Sequence, residues 1–220
     1  MNTPNSREGN LIRFVVYCIA YVMAAGVVEL VSQKTPLRVW DLILYALVTT
    51  MVLLFYVYRF NREQRFFERV ATLPVLGDFG LTVGLTLATI ASRILVMYFQ
   101  TLGKVPSYGF QASFVKHEST GLFWFLMLAE GIVLPILQQY LTTGFLFNYL
   151  FRDNNRTVAL IGIVCSGILF SLLNFQHSLI LLVIEAAYGM FFAWSYMYTQ
   201  TLRMPIYLAI LSGVLIVVMM

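Results

Sequence analysis

Apolar residues run along this 220-residue chain in long blocks separated by short polar stretches. A helix needs about 20 mostly apolar residues to cross the hydrocarbon core of a bilayer, with a range of roughly 17–25. By that measure the pattern predicts seven membrane helices. They cover residues 11–31, 39–58, 80–100, 121–151, 157–175, 178–200 and 205–220. The fourth block is too long for one straight crossing, and we expect Pro135 to break or kink it.

The fourth block also contains polar side chains that lipid cannot satisfy. Gln138 and Gln139 are adjacent, and Thr142 and Thr143 follow one helical turn later. Amides and hydroxyls that face hydrocarbon lose their hydrogen bonds to water. At the period of an α-helix, Gln138 lies over Thr142 and Gln139 lies over Thr143. We therefore expect this face to point toward other helices, a cavity or a partner.

The composition supports an all-α polytopic membrane protein. The chain is 60% hydrophobic and 11% charged, whereas soluble domains average about 45–50% apolar and about 25% charged residues. The net charge of +4 is small and indicates membrane topology, not a surface for nucleic acid. Cys18 and Cys165 lie far apart in apolar blocks, so they predict no disulfide. The first apolar block exceeds the roughly 7–15 residues of a signal-peptide core, and we interpret it as a retained helix.

Basic residues are distributed unequally between the two sets of loops. One set holds Arg7, Arg13, Arg59, Arg62, Arg65, Arg69, Arg152, Arg156 and Arg203. The other set holds Lys34, Arg38, Lys104 and Lys116. The positive-inside rule then predicts a multi-pass protein of the cell membrane with a cytoplasmic N-terminus. Residues 61–77, which mix apolar residues with arginines, predict either an amphipathic helix on the inner leaflet or an ordinary basic loop.

Three charged residues fall within predicted spans: Arg93, Glu130 and Glu185. An arginine at bilayer depth costs roughly 2.5–3.5 kcal/mol on insertion scales, so it needs a partner or water. We predict a structural ion pair between Arg93 and one of the two glutamates. The chain contains no glycine-rich phosphate loop, no zinc-protease helix motif and no nucleophile elbow. It therefore shows none of the catalytic chemistries that these motifs indicate.

The second half of the chain, residues 121–213, resembles the CPBP family, also called Abi or CAAX-protease-like membrane proteins. The first motif of that family is a proline followed by Glu-Glu-x-x-x-Arg. Here Pro135 is followed by Gln138 and Gln139, and Thr143 stands at the arginine position. A glycine that the family carries in a later helix is matched by Gly189.

Two further motifs match in spacing but not in chemistry. The family motif Phe-x-x-x-His reads Phe170 to Asn174 here. The final motif, a histidine followed four residues later by Asn or Asp, reads Ala209 and Gly213. The resemblance implies a bundle of about seven helices, in which residues 121–220 form the family core and residues 1–120 add three helices with their loops.

In the family, a glutamate and histidines are thought to hold a metal ion or polarise a water for peptide hydrolysis. Glutamine does not titrate in the useful range, so Gln138 cannot act as a base. Asn174 is a poor substitute for imidazole as a metal ligand, and Ala209 offers no ligand. The resemblance therefore implies a degenerate member with no catalytic residues, metal or cofactor. What remains is a neutral binding cluster, formed by Gln138, Gln139, Thr142 and Asn174.

We predict an inactive family member that serves as a scaffold or regulator. The resemblance implies a membrane protein partner, such as an envelope enzyme or sensor kinase of a Gram-positive bacterium, and no nucleic acid. One alternative is an active protease with an atypical metal site built from His177, Glu130 and Glu185. Another is self-immunity against a bacteriocin.

Overall fold

The computed structural model of the protein describes residues 7–33, 37–62, 79–151 and 155–220. Within these ranges the chain forms eight helices and no strand. They are α1 (Arg7–Ser32), α2 (Val39–Arg62), α3 (Phe79–Thr101), α4 (Gly109–Lys116), α5 (Thr120–Tyr149), α6 (Arg156–Leu173), α7 (Leu179–Thr199) and α8 (Arg203–Val218). Six are long and apolar enough to cross a membrane, and α8 is a shorter apolar helix. The predicted class, an all-α polytopic membrane protein, is confirmed.

Part of the predicted inner-leaflet segment, residues 61–77, lies outside the described residues. The structure describes only its first two residues, which end α2. The basic residues Lys34, Arg65, Arg69 and Arg152 also lie outside the described ranges. The choice between an amphipathic helix and a basic loop therefore stays a prediction.

Pro135 does not break the fourth span. Helix α5 is continuous for 30 residues, and two π-helical segments, Ala129–Val133 and Tyr140–Phe145, flank the turns around the proline. A proline inside a helix gives no amide hydrogen to the preceding turn, and its ring crowds a carbonyl there. A wider π turn accommodates that missing bond without ending the helix. The prediction of a break was wrong for this reason.

Two glycines, Gly167 and Gly189, bring α6 and α7 close together. A Cβ added at Gly189 would lie 2.6 Å from Cβ of Phe170 and 2.8 Å from Cα of Gly167. A Cβ added at Gly167 would lie 2.6 Å from the carbonyl oxygen of Ala186. Close approach at small residues is how helices associate in lipid, where no hydrophobic effect drives them together.

The bundle is centred on α5, which packs against α1, α2, α6, α7 and α8. By contrast, α2 and α3 lie at the periphery and bury few of their residues. An outward stripe of α6 at helical spacing is apolar and exposed: Leu160, Ile161, Val164, Ile168 and Leu172. Such a stripe suits contact with lipid tails, so the helices hold the chain in a bilayer.

An aromatic cluster closes the bundle on the side of the α1 N-terminus. The rings of Tyr17 and Phe145 stack with centroids 4.1 Å apart, and Tyr56 packs edge-on against both. The hydroxyl of Tyr56 donates to the carbonyl of Tyr17 at 2.6 Å. These contacts tie α1, α2 and α5 together at this end of the bundle.

Candidate functional site

A cavity of about 580 Å³ opens at the opposite end of the bundle. Its floor reaches Tyr21 and Gln138, and α1 contributes only its C-terminal half to the wall. The mouth is formed by two loops, residues 106–110 and residues 175–178. Helices α3, α5, α6, α7 and α8 complete the wall.

Four positions of the three motifs meet on this wall. Gln138 comes from α5, Asn174 from the end of α6, and Ala209 and Gly213 from α8. Nothing in the local sequence brings these three helices together, so the tertiary fold gathers them. Motif residues that are far apart in the chain therefore share one cavity.

Gln138 is 4% exposed and donates two hydrogen bonds through Nε2. One goes to the hydroxyl of Tyr21 at 2.9 Å and the other to Oδ1 of Asn174 at 2.8 Å. The hydroxyl of Tyr21 in turn donates to the carbonyl of Leu173 at 3.2 Å. The amide of Gln138 thus links α1, α5 and the C-terminus of α6.

The orientation of both amides follows from what lies beyond Asn174. Its Nδ2 donates to the carbonyl of Phe170 at 3.1 Å and to Oε2 of Glu185 at 3.5 Å. A carbonyl and a carboxylate only accept, so the NH₂ of Asn174 must face them. Oδ1 of Asn174 then faces Gln138 and needs a donor there, which is Nε2 of Gln138. Oε1 of Gln138 is therefore on the other side of its amide group.

Arg93 projects from α3 into the same network and pairs with Glu185. Its NH1 lies 2.9 Å from Oε1 of Glu185 and its NH2 lies 3.3 Å from Oε2. Nε donates to Oγ of Ser212 at 2.6 Å, and the guanidinium lies 3.5 Å from the ring centroid of Tyr188. A bidentate pair with a further donor bond and a ring contact satisfies a charge at this depth. Glu130 is not the partner of Arg93.

Tyr108, in the loop before α4, completes the coordination of this pair. Its hydroxyl donates to Oε1 of Glu185 at 2.6 Å and accepts from NH1 of Arg93 at 2.8 Å. Burial, and then the adjacent Glu185 carboxylate, raise the pKa of the Tyr108 phenol well above its ordinary value. The phenol therefore stays protonated at neutral pH and keeps its donor for Glu185.

The other three polar residues of the α5 run do not line the cavity. The hydroxyl of Thr142 donates a hydrogen bond to the backbone carbonyl of Gln138 at 2.8 Å. Thr143 donates to Oε1 of Gln139 at 2.8 Å, and both are fully buried. The predicted cluster of Gln138, Gln139, Thr142 and Asn174 is therefore divided: the first and last meet at the cavity, and the middle two face protein.

Residues 120–214 match the family model described as Type II CAAX prenyl endopeptidase Rce1-like. This part of the chain is therefore similar to the Rce1-like family. The resemblance to CAAX-protease-like membrane proteins is thereby confirmed. No match was found among curated proteins or among solved structures.

Gly213, the last of the motif positions, leaves no room for a larger side chain. A Cβ there would lie 2.8 Å from the carbonyl oxygen of Glu130 and 2.9 Å from that of Gly131. These carbonyls belong to the first π segment of α5, so α8 packs directly on that segment. An asparagine or aspartate at 213 does not fit without moving backbone. Ala209, one turn earlier, lines the cavity instead.

The donor set does not fit the metal ion that the family resemblance implies. Amide, methyl and hydrogen replace carboxylate and imidazole at Gln138, Asn174, Ala209 and Gly213, and these groups are poor ligands for zinc. The alternative ligands His177, Glu130 and Glu185 all line the cavity. Among the described residues, however, no three His, Cys, Asp or Glu side chains come close enough to hold a metal ion.

Helix α6 ends at Leu173, so His177 does not share its face with Asn174. Phe175 turns the chain with φ 49°, in the left-handed region. His177 therefore lies in the loop at the mouth of the cavity. Glu29 also lines the cavity, where its Oε1 accepts from Nε2 of Gln33 at 2.7 Å.

Sequence reasoning missed Tyr21, Glu29, Tyr108 and Ser212 as parts of the site. Ser212 precedes the motif position Gly213, which was the signal available for it. Tyr108 lies in a stretch whose glycines and proline indicate only a turn. No pattern in the sequence points to Tyr21, because one tyrosine among thirteen in an apolar chain carries no information about its partner.

Proposed function

We propose that this protein is a non-catalytic member of the Rce1-like family, a scaffold or regulator that uses the cavity to bind a partner in the membrane. The observation that carries the proposal is the convergence of Gln138, Asn174, Ala209 and Gly213 on one wall. The site is assembled, but its motif side chains do not titrate. Assembly without ionisable motif residues favours recognition over bond cleavage.

The hydrogen bonds support this proposal. Peptide hydrolysis needs a base close to an activated water. Gln138 uses its amide nitrogen on Tyr21 and Asn174. Glu185, the carboxylate that hydrogen-bonds Asn174, is neutralised by Arg93 and also accepts from Tyr108. Neither Gln138 nor Glu185 is available as a base.

The first experiment tests the absence of cleavage. The purified protein in liposomes is incubated with a farnesylated CAAX peptide, alongside Gln138→Ala and His177→Ala variants. We expect no product from the wild type beyond that from the variants. Cleavage by the wild type that disappears in either variant overturns the proposal and favours an atypical protease.

The second experiment tests partner binding at the mouth. A photo-crosslinking amino acid at Ser178, on the cavity wall, is compared with one at Ile161, on the lipid-facing stripe of α6. We expect a discrete protein adduct from position 178 that is lost when Ala209→Trp fills the cavity. Equal adducts from both positions, or an adduct indifferent to Ala209→Trp, would remove the cavity as the binding site. An envelope enzyme or a sensor kinase in the adduct would identify the partner class, and a bacteriocin there would indicate self-immunity.

A further inference from the structure

Glu130 is a carboxylate at membrane depth for which the described chain supplies no partner. It lies in the first π segment of α5 and lines the cavity. Among the described residues, no side chain forms a hydrogen bond or ion pair with it. A carboxylate within a membrane span is costly unless it is paired, and its partner is the first thing to look for.

The charges of the cavity wall do not balance. Its carboxylates are Glu29, Glu130 and Glu185, and its basic side chains are Arg93 and His177. Arg93 is committed to Glu185, and His177 lies exposed at the mouth. Glu29 has a hydrogen bond from uncharged Gln33. The wall therefore has an excess of negative charge around Glu130.

A second acceptor without a donor lies on the same wall. Both hydrogen bonds of the Gln138 side chain leave from Nε2, and no described residue donates to its Oε1. Asn174 fixes that orientation, because its own NH₂ is committed to a carbonyl and a carboxylate. Gln138 is more than nine-tenths buried, so its carbonyl can be satisfied only by a group within the cavity.

Apolar side chains form a large part of the remaining wall. The cavity wall includes Leu134, Phe170, Leu181, Ala209 and Ile216, alongside polar side chains such as Tyr21 and Ser212. An occupant that suits this wall donates hydrogen bonds, carries positive charge and has an aliphatic body. A hydrated metal ion matches the charge but not the apolar wall, and an anion matches neither.

We propose that the cavity binds an alkylammonium group, with the ammonium against Glu130, methylenes along the apolar wall, and a donor reaching Oε1 of Gln138. This rests on the proposed function, because it names the ligand chemistry of the same cavity. The group has two sources with the same chemistry: a free aliphatic diamine, or a lysine side chain that a partner inserts through the mouth.

The test is titration calorimetry on the protein in nanodiscs of zwitterionic lipid, with cadaverine and with Nα-acetyl-lysine methylamide as probes. We expect Glu130→Gln to weaken binding of both about tenfold or more, because the ammonium loses its ion pair and retains at most a hydrogen bond to a neutral amide. Glu118→Gln, an exposed carboxylate outside the cavity, should leave affinity unchanged. Neutral 1-pentanol should not compete.

Equal affinity for wild type and Glu130→Gln, or no binding to the wild type, overturns the proposal. Tighter binding of cadaverine assigns a free amine, and tighter binding of the lysine derivative assigns a partner's side chain. If Glu130→Gln does not fold, a measurement on the wild type takes its place. A diazirine-bearing alkylamine should label peptides of the cavity wall. Labelling confined to other peptides rejects the site. If the amines do not bind but the crosslink at position 178 is retained, only this inference fails. Cleavage of the CAAX peptide, in contrast, contradicts the proposed function.

Discussion

Arg93 shows how a full charge is accommodated at membrane depth. Glu185 neutralises the guanidinium through both carboxylate oxygens. Ser212 and Tyr108 accept further hydrogen bonds from Arg93, and the ring of Tyr188 covers one face of the guanidinium. The pair is 2–3% exposed, so water contributes little. A buried pair of this kind contributes modestly to net stability, but removing one member leaves the other without compensation.

Arg93→Leu should therefore destabilise the protein by about 3–5 kcal/mol, because Glu185 is left as a buried, uncompensated carboxylate. The free energy of unfolding, measured by denaturant titration in micelles, checks this. The double variant Arg93→Leu with Glu185→Leu should recover most of the loss. A double variant no more stable than the single one would show that the charge of Glu185 is not the cause.

Among the helices, the contacts that matter most are those where a side chain is missing. Gly167 and Gly189 let α6 and α7 touch at backbone distance, which holds Asn174 and Glu185 on adjacent sides of the cavity. Gly213 does the same for α8 against the π segment around Glu130. These glycines are needed for close approach and not for an unusual backbone conformation.

Gly189→Ala should lower stability by roughly 1–3 kcal/mol, since its methyl group overlaps Phe170 and the backbone at Gly167. The melting temperature in detergent provides the measurement. The matched control is Gly84→Ala on α3, where a Cβ meets nothing within 4 Å. That substitution should be neutral, or stabilising by up to about 1 kcal/mol through helix propensity. If Gly189→Ala and Gly84→Ala have the same melting temperature, the close contact of α6 and α7 at Gly189 does not limit the stability of the protein.

Among the described residues, the two ends of the bundle differ, and the end filled by the aromatic cluster is called the closed end. The aromatic cluster around Tyr17 fills the end that holds the α1 N-terminus, and the cavity opens near Glu29 at the other end. The positive-inside rule predicts that the closed end faces the cytoplasm. Any partner or amine that uses the mouth then approaches from outside the cell.

Single cysteines test this orientation in a background that carries Cys18→Ser and Cys165→Ser. Ser107→Cys, in the exposed mouth loop, should react with a membrane-impermeant maleimide in intact cells. Thr157→Cys, exposed near the start of α6 at the other end, should react only after permeabilisation. The reverse pattern would place the mouth in the cytoplasm.

Hydropathy predicted the membrane helices because burial in lipid depends on runs of apolar residues, which are local. Motif spacing indicated a resemblance to CAAX-protease-like membrane proteins through Pro135, Phe170 and Gly189, although the residue types at the catalytic positions differ. Which polar residues share the cavity did not follow from spacing. Gln138 and Gln139 are neighbours in the chain, yet one lines the cavity and the other is buried in protein, because adjacent residues on a helix point about 100° apart and neighbouring helices decide which direction is open.

The sequence by itself determined the class of the protein, the boundaries of most spans and the resemblance of its second half to CAAX-protease-like membrane proteins. It also determined that the motif positions carry no base or imidazole. Only the tertiary structure decided that Arg93 pairs with Glu185 and not with Glu130, and that α5 continues past Pro135 with a π segment on either side. It also decided that Glu130 lines a cavity and has no partner among the described residues. Those outcomes depend on how helices distant in sequence are placed against each other, and packing between them leaves no signal in local composition or period.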